Sequence, residues 1–410
     1  MRLTEKNKKI LIIIGFVILV ILLAWVLYLL FFAPNKQATE IPTDTTAPPI
    51  TGGLPDTGEQ TDNRQVIIDQ ETNLPINTGD LPYIRTEQEL QVDSDVIVNH
   101  QVSTVSKSSN GSLVYYNKDD GKFYTYKSGE IEPLSDKSFY NVDDIAWSKQ
   151  GNRAILEYPD GNNILYDFDK QKQISLPKEM TDFSFSQSGE KIVAKVISDF
   201  PDENWLVTTN YDGSDVFFVE HIGDKGFDVQ VDWSPAGEIV ATYREGIDFE
   251  RQEVYPIGQS GANIKSLTTD GRGFESQWSP QGDFILYSVY NTKSGYRPSL
   301  YLADMGGDWT GSYKIDIGLN TWSDKCIFTD NSQKVYCAAP ENLPELSGIF
   351  RELGDESDDV FYEINLVTGN KKIIAIPEGV SATGLQISLD KQTLYFVNSL
   401  TGNLEKIDLP

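Results

Sequence analysis

Histidine and cysteine are almost missing from this chain, two of each in 410 residues. His100 and His221 are the only imidazoles, a thin supply for a serine or cysteine nucleophile that needs a base beside it. No G-x-S-x-G elbow is present; Gly258-Gln259-Ser260-Gly261 comes closest and lacks the second spacing. Ser188-Gly189-Glu190-Lys191 fits S-x-x-K, but on a repeated turn where Ser and Lys are commonplace. There is no P-loop and no G-x-G-x-x-G behind a strand. Positive charge is also short: 34 Lys and Arg face 61 Asp and Glu, a net charge of −27. Such a chain lacks the clustered cations of a phosphate footprint, which excludes nucleic acid as a partner. The expected cofactor set is therefore empty and no catalytic residue is assigned.

Long apolar runs are absent except at one place. Residues 1–9 form a basic tail with Arg2, Lys6, Lys8 and Lys9, and residues 10–32 are an unbroken run of 23 apolar residues. That is long enough to cross a hydrocarbon core of ~30 Å and too long for a cleaved signal peptide. It predicts an uncleaved, single-pass signal anchor in the cell membrane, with the N-terminus cytoplasmic and everything after it outside. Residues 33–80 are rich in Pro, Thr, Gly and Asp and predict a disordered, flexible stalk; residues 65–69 (QVIID) are its one strand-like interruption. Residues 54–58 (LPDTG) fit the pattern of a cell-wall sorting signal, but here the motif follows the membrane segment instead of preceding it.

What the chain does have is a repeat. Residues 231–243, VDWSPAGEIVATY, read as a short strand, a tight turn and a second strand. Degenerate copies centre on Ser108, Ser148, Ser186, Ser234, Ser279, Thr329 and Ser388, with steps of 40, 38, 48, 45, 50 and 59 residues. The position before the turn residue is Trp147, Phe185, Trp233, Trp278 or Phe328 in five copies, Ile387 in the seventh and Lys107 in the first. Third and fourth strands follow in most copies, including residues 253–257 and 264–267 in the fourth. A period of about 40–50 residues with four strands per unit is that of a propeller blade. The prediction is an all-β, seven-bladed β-propeller over residues 81–410, with six or eight blades as the alternatives.

The turns WSPAG at 233–237, WSPQG at 278–282, WSKQG at 147–151 and FSQSG at 185–189 resemble those of the TolB-like (WD-repeat-like) bacterial propellers. The resemblance implies the fold, not an activity. No copy keeps that family's Asp before the Gly, and Ser332 and Lys391 replace the Gly in the last two.

The seventh copy ends after its third strand, so its edge strand is expected from before the first copy, at residues 95–99. Cys326 and Cys337 flank the sixth turn. A four-residue loop sets them opposite each other, at the Cα spacing of a disulfide; a one-residue register shift instead leaves two buried thiols.

The loops between second and third strands vary in length, the longest at residues 340–358, while the Ser-x-x-Gly turns are short and nearly constant. Recognition is expected on the variable side. The named candidates are Arg244, Arg272, Tyr296, Phe350 and Arg351; the alternative for the 340–358 insert is a small lid that merely packs on the propeller. Asn117-Lys118-Asp119-Asp120-Gly121 and residues 355–359 offer oxygen ligands for calcium without a complete loop spacing. The expected role is a membrane-tethered scaffold that binds a protein or cell-envelope ligand. The alternative is an extracytoplasmic hydrolase or lyase working on a polymer in the propeller funnel.

Overall fold

The computed structural model describes residues 93–354 and 357–410. They form seven four-stranded antiparallel sheets, each built from consecutive strands except the last. The first blade comprises Val102–Lys107, Leu113–Asn117, Lys122–Lys127 and Glu130–Pro133. The fourth comprises Val229–Val231, Ile239–Gly246, Gln252–Gly258 and Leu267–Thr269. First strands of several neighbouring blades touch, which sets them around the axis.

The turn chemistry explains the repeat. In the second copy Ser148 N–H donates to Arg153 O, Gly151 N–H donates back to Ser148 O, and Arg153 N–H donates to the Ser148 hydroxyl. The hydroxyl thus fixes the strand behind the turn, a job that Ser186, Ser279, Thr329 and Ser388 repeat. The turn Gly is left-handed, with φ of 67° at Gly151 and 73° at Gly282. Ser332 and Lys391 hold the same conformation at 54° and 61°. A Cβ on Gly282 would meet the Ala236 backbone of the preceding turn at 2.5 Å. Where Ser stands instead, the Ser332 hydroxyl bonds Gln281 of that neighbouring turn.

Each hydrophobic cluster spans two blades. Ile239, Val254 and Leu267 of the fourth pack on Phe274, Trp278, Ile285 and Tyr287 of the fifth. The aromatics before the turns fill these wedges: Phe185, Trp233, Trp278 and Phe328 are all buried.

The ring closes as the truncated seventh copy requires. Asp95–Val98 pairs antiparallel with Leu404–Asp408, Asp95 opposite Lys406 at an ion-pair distance of 3.2 Å. Cys326 lies opposite Cys337 in register, and a disulfide joins them. In the fourth blade, Ile264 is buried within a loop and the outer strand begins only at Leu267. No helix among the described residues is long and apolar enough to cross a membrane. The apolar run at 10–32 and the stalk lie outside the described residues.

Candidate functional site

An up-and-down blade puts the turns between strands one and two, and three and four, on one side of the ring. The loops between strands two and three, and between blades, lie on the other. These are the turn face and the loop face.

The loop face is a braced structure. Arg244 donates from Nη1 to Phe274 O and from Nη2 to Phe227 O, both at 2.9 Å. Arg272 Nη1 donates to Asp248 O at 2.7 Å. Arg351 pairs with Asp324 at 2.7 Å and Glu275 at 3.5 Å, its guanidinium over the Trp322 ring. Arg244 and Arg351 therefore converge on residues 274 and 275, while Arg272 turns away to the fourth blade. Tyr296 takes a left-handed backbone, and its carbonyl accepts from Gly348 N–H at 2.8 Å. The 340–358 insert is docked by that bond, by Leu346 N–H to Gly295 O and by Arg297 Nε to Leu343 O. Of the named residues Phe350 presents its side chain outward, beside the exposed Leu346, Ile349 and Leu353. The insert thus packs as a lid at its base and shows an apolar crest. Although Glu275 keeps an open side, the protein around it pushes its carboxyl up; Arg351 and Arg244 pull it back and Asp324 raises it.

Sequence reasoning passed over three phenylalanines on this face. Phe200, Phe227 and Phe249 are 66%, 94% and 92% exposed. Each has an acid beside it: Asp199 before Phe200, Asp228 after Phe227, and Asp248 and Glu250 around Phe249. All lie in loops of the third and fourth blades. Those acid-aromatic contexts, in segments with no strand period, were the available signal. Neighbouring loops are tied together here too: Glu250 accepts from the amide and hydroxyl of Thr292, and Ile197 lies against Gly226.

The calcium candidates spend their oxygens locally. Asn117 and Asp120 accept from backbone N–H groups two residues on, and Asp119 accepts from Gln101 N–H. Asp359 pairs with Lys325 at 2.8 Å, and residues 355–356 lie outside the described residues. Among the described residues no group of three His, Cys, Asp or Glu is placed to hold a metal.

The turn face opens on the axis as a funnel of about 350 Å³, to which every blade contributes. Its charged lining is Lys107, Lys149, Asp232 and Asp330, without Arg or His. Lys107, the residue that breaks the aromatic pattern, reaches across to Asp330 at 3.7 Å and to Ile387 O at 3.4 Å. Asp232 keeps part of its surface open to the funnel, yet protein surrounds it. That desolvation pushes its carboxyl up to about 6, with Lys149 pulling the other way.

No protein-family profile matches the chain, and no curated protein matches it in sequence. Solved structures match it in shape. An oligogalacturonate lyase in complex with manganese is 12% identical with a TM-score of 0.55, the match covering 77% of this chain and 91% of that one. The β-propeller domain of Cps50 (Swd1) from Myceliophteria thermophila is 11% identical with a TM-score of 0.51, covering 76% and 98%. The fold is that of a β-propeller. At such identities the likeness extends no further than the fold.

Proposed function

We propose that this chain is a membrane-tethered, extracytoplasmic propeller that captures a basic protein partner on its loop face. The observation that carries the reading is the set of three outward phenylalanines with carboxylates beside them, Phe200, Phe227 and Phe249. Exposed aromatics on a rigid, cross-braced surface lose little entropy on docking and fit pockets in a partner. The flanking acids, in a chain of net charge −27, select a partner with Lys or Arg around those pockets. The apolar crest around Phe350 extends the same face. The anchor rests on the 23-residue apolar run behind the basic tail, the tether on residues 33–80. The WSPAG and WSPQG turns support placing the chain with TolB-like propellers.

The alternative, a hydrolase or lyase in the funnel, needs a dense cluster of acids and arginines on the axis. The funnel lining holds two acids, two lysines and no arginine, which favours binding over catalysis.

A photocrosslinking residue at Phe227 or Phe249 tests the face, with Val367 and Leu389 on the turn face as controls. Loop-face probes should crosslink one discrete protein in the native membrane. Binding to that purified protein should weaken as salt rises, and fall at least tenfold in a Phe200→Ser, Phe227→Ser, Phe249→Ser variant. Crosslinks from the turn face alone, or an acidic partner with salt-independent binding, would refute the reading.

A further inference from the structure

The funnel on the turn face is a second site, independent of the loop face. Along each innermost strand side chains alternate between the wedge and the axis. The residue before the turn Ser or Thr fills the wedge in most copies, and the residue before that one points to the axis. This register places Ser106, Asp232, Gln277, Ile327 and Gln386 in the funnel wall. Asp232 is the one ionised group among them.

Two features distinguish this lining. The half-buried Asp232 carboxylate lines the funnel and has no hydrogen bond or ion pair among the described residues. A carboxylate so placed carries a desolvation cost that a bound cation would relieve. On the adjacent strand Gln277 is oriented by its own backbone contacts. Its Nε2 donates to Ser323 O at 2.5 Å and Cys326 O at 3.0 Å, leaving Oε1 as an acceptor in the funnel wall. The two strands are tied at this level by Trp278 Nε1 donating to Asp232 O. Asp232 and Gln277 together offer two acceptors to one ammonium group. Lys149, on an exposed turn, stands near enough for its charge to act on Asp232. Lys107 is already committed to Asp330 and Ile387, so Lys149 is the cation left for an anionic group. The same lining includes the apolar side chains of Pro235, Pro280 and Ile327. At about 350 Å³ the cavity is at the small end for ligand sites.

We propose that the funnel binds a small zwitterion of the α-amino-acid type with an apolar side chain. Its ammonium group sits on the Asp232 carboxylate and Gln277 Oε1, its carboxylate on Lys149, and its side chain on Pro235, Pro280 and Ile327. Charge-assisted contacts at both ends give the site its selectivity: a monoamine or a monoacid of the same shape leaves one charge unanswered.

The probe is L-leucine, titrated into the full-length chain in mild detergent by calorimetry and by saturation-transfer NMR. Its matched fragments are 3-methylbutan-1-amine, which lacks the carboxylate, and 4-methylpentanoate, which lacks the ammonium. Leucine should bind at ~1 mM or tighter, each fragment at least tenfold more weakly. Asp232→Asn should weaken leucine at least tenfold, and Lys149→Gln several-fold while bringing leucine down toward the amine. Lys149 is exposed on a turn, so that variant folds and keeps the test decisive. No leucine binding up to the order of 10 mM, a monoacid that binds as well as leucine, or an Asp232→Asn protein that binds it unchanged would each overturn the proposal.

Discussion

Asp232→Asn should make this propeller more stable at neutral pH. The folded carboxyl titrates at about 6 against an ordinary value of 3.8, so folding holds its proton more tightly than the unfolded chain does. A group of this sign contributes no penalty below pH ~4, where both states are protonated. The penalty grows as pH rises from about 4 to 6 and is complete above that. The gap from 3.8 to about 6 is worth roughly 3 kcal/mol. Water in the funnel reduces this, so about 1–3 kcal/mol is expected in practice. Asparagine removes the charge and keeps the shape. Thermal unfolding followed by circular dichroism from pH 4 to 8 should show the variant melting roughly 2–6 °C higher above pH 6, the two curves meeting near pH 4. Millimolar leucine should raise the wild-type midpoint and leave that of the variant in place. A variant equal to wild type at pH 7.5, or less stable, would refute the desolvation argument.

The buried pair of Lys325 and Asp359 predicts the opposite sign. Lys325→Met leaves the Asp359 carboxylate covered, with the Ala382 N–H as its remaining partner, and should cost about 3–5 kcal/mol in urea unfolding; adding Asp359→Leu should recover part of the loss. Deleting residues 93–99 strips the closing strand from Leu404–Asp408 and should lower the melting point of the whole ring and promote oligomers on gel filtration; a monomeric truncation that unfolds cooperatively at the wild-type temperature would contradict it. Cys326→Ala with Cys337→Ala opens a crosslink of sequence separation 11 and should cost a little under ~3 kcal/mol, with the fold unchanged by circular dichroism.

Much of the fold was legible because each blade repeats one piece of backbone chemistry. The turn hydroxyl, the left-handed fourth position and the aromatic before the turn are local requirements, so they leave a mark every 40–50 residues or so. The outer strands leave less. Glu130–Pro133 in the first blade is exposed along its whole length and has no apolar period to read. Ile264 is apolar and so looked like a strand residue, but it is buried as part of a loop. Register irregularities in the first strands of the third, fifth and seventh blades place Asp182, Gly273 and Gly384 in the left-handed region. Two are glycines and one is an aspartate, too small a set to show as a pattern.

The sites divide along the same line. Arg244, Arg272 and Arg351 are candidates by sequence because they stand on the side of the variable loops, where recognition is expected. Folded, the same guanidiniums donate to carbonyls and carboxylates of neighbouring loops, since loops without a strand ladder must satisfy their polar groups somehow. The residues that face outward here are apolar ones with no such partner to find, Phe200, Phe227 and Phe249 among them, with Phe350 on the insert. Asp232 is the converse case. It occupies a repeat position held by Ser106, Gln277, Ile327 and Gln386 in other blades, where a neutral side chain costs nothing. A carboxylate at one of seven equivalent places, without a side-chain partner among the described residues, breaks the consistency that marks the rest of the ring. Departures of that kind in a repeat protein point to a ligand, because the fold itself gains nothing from them.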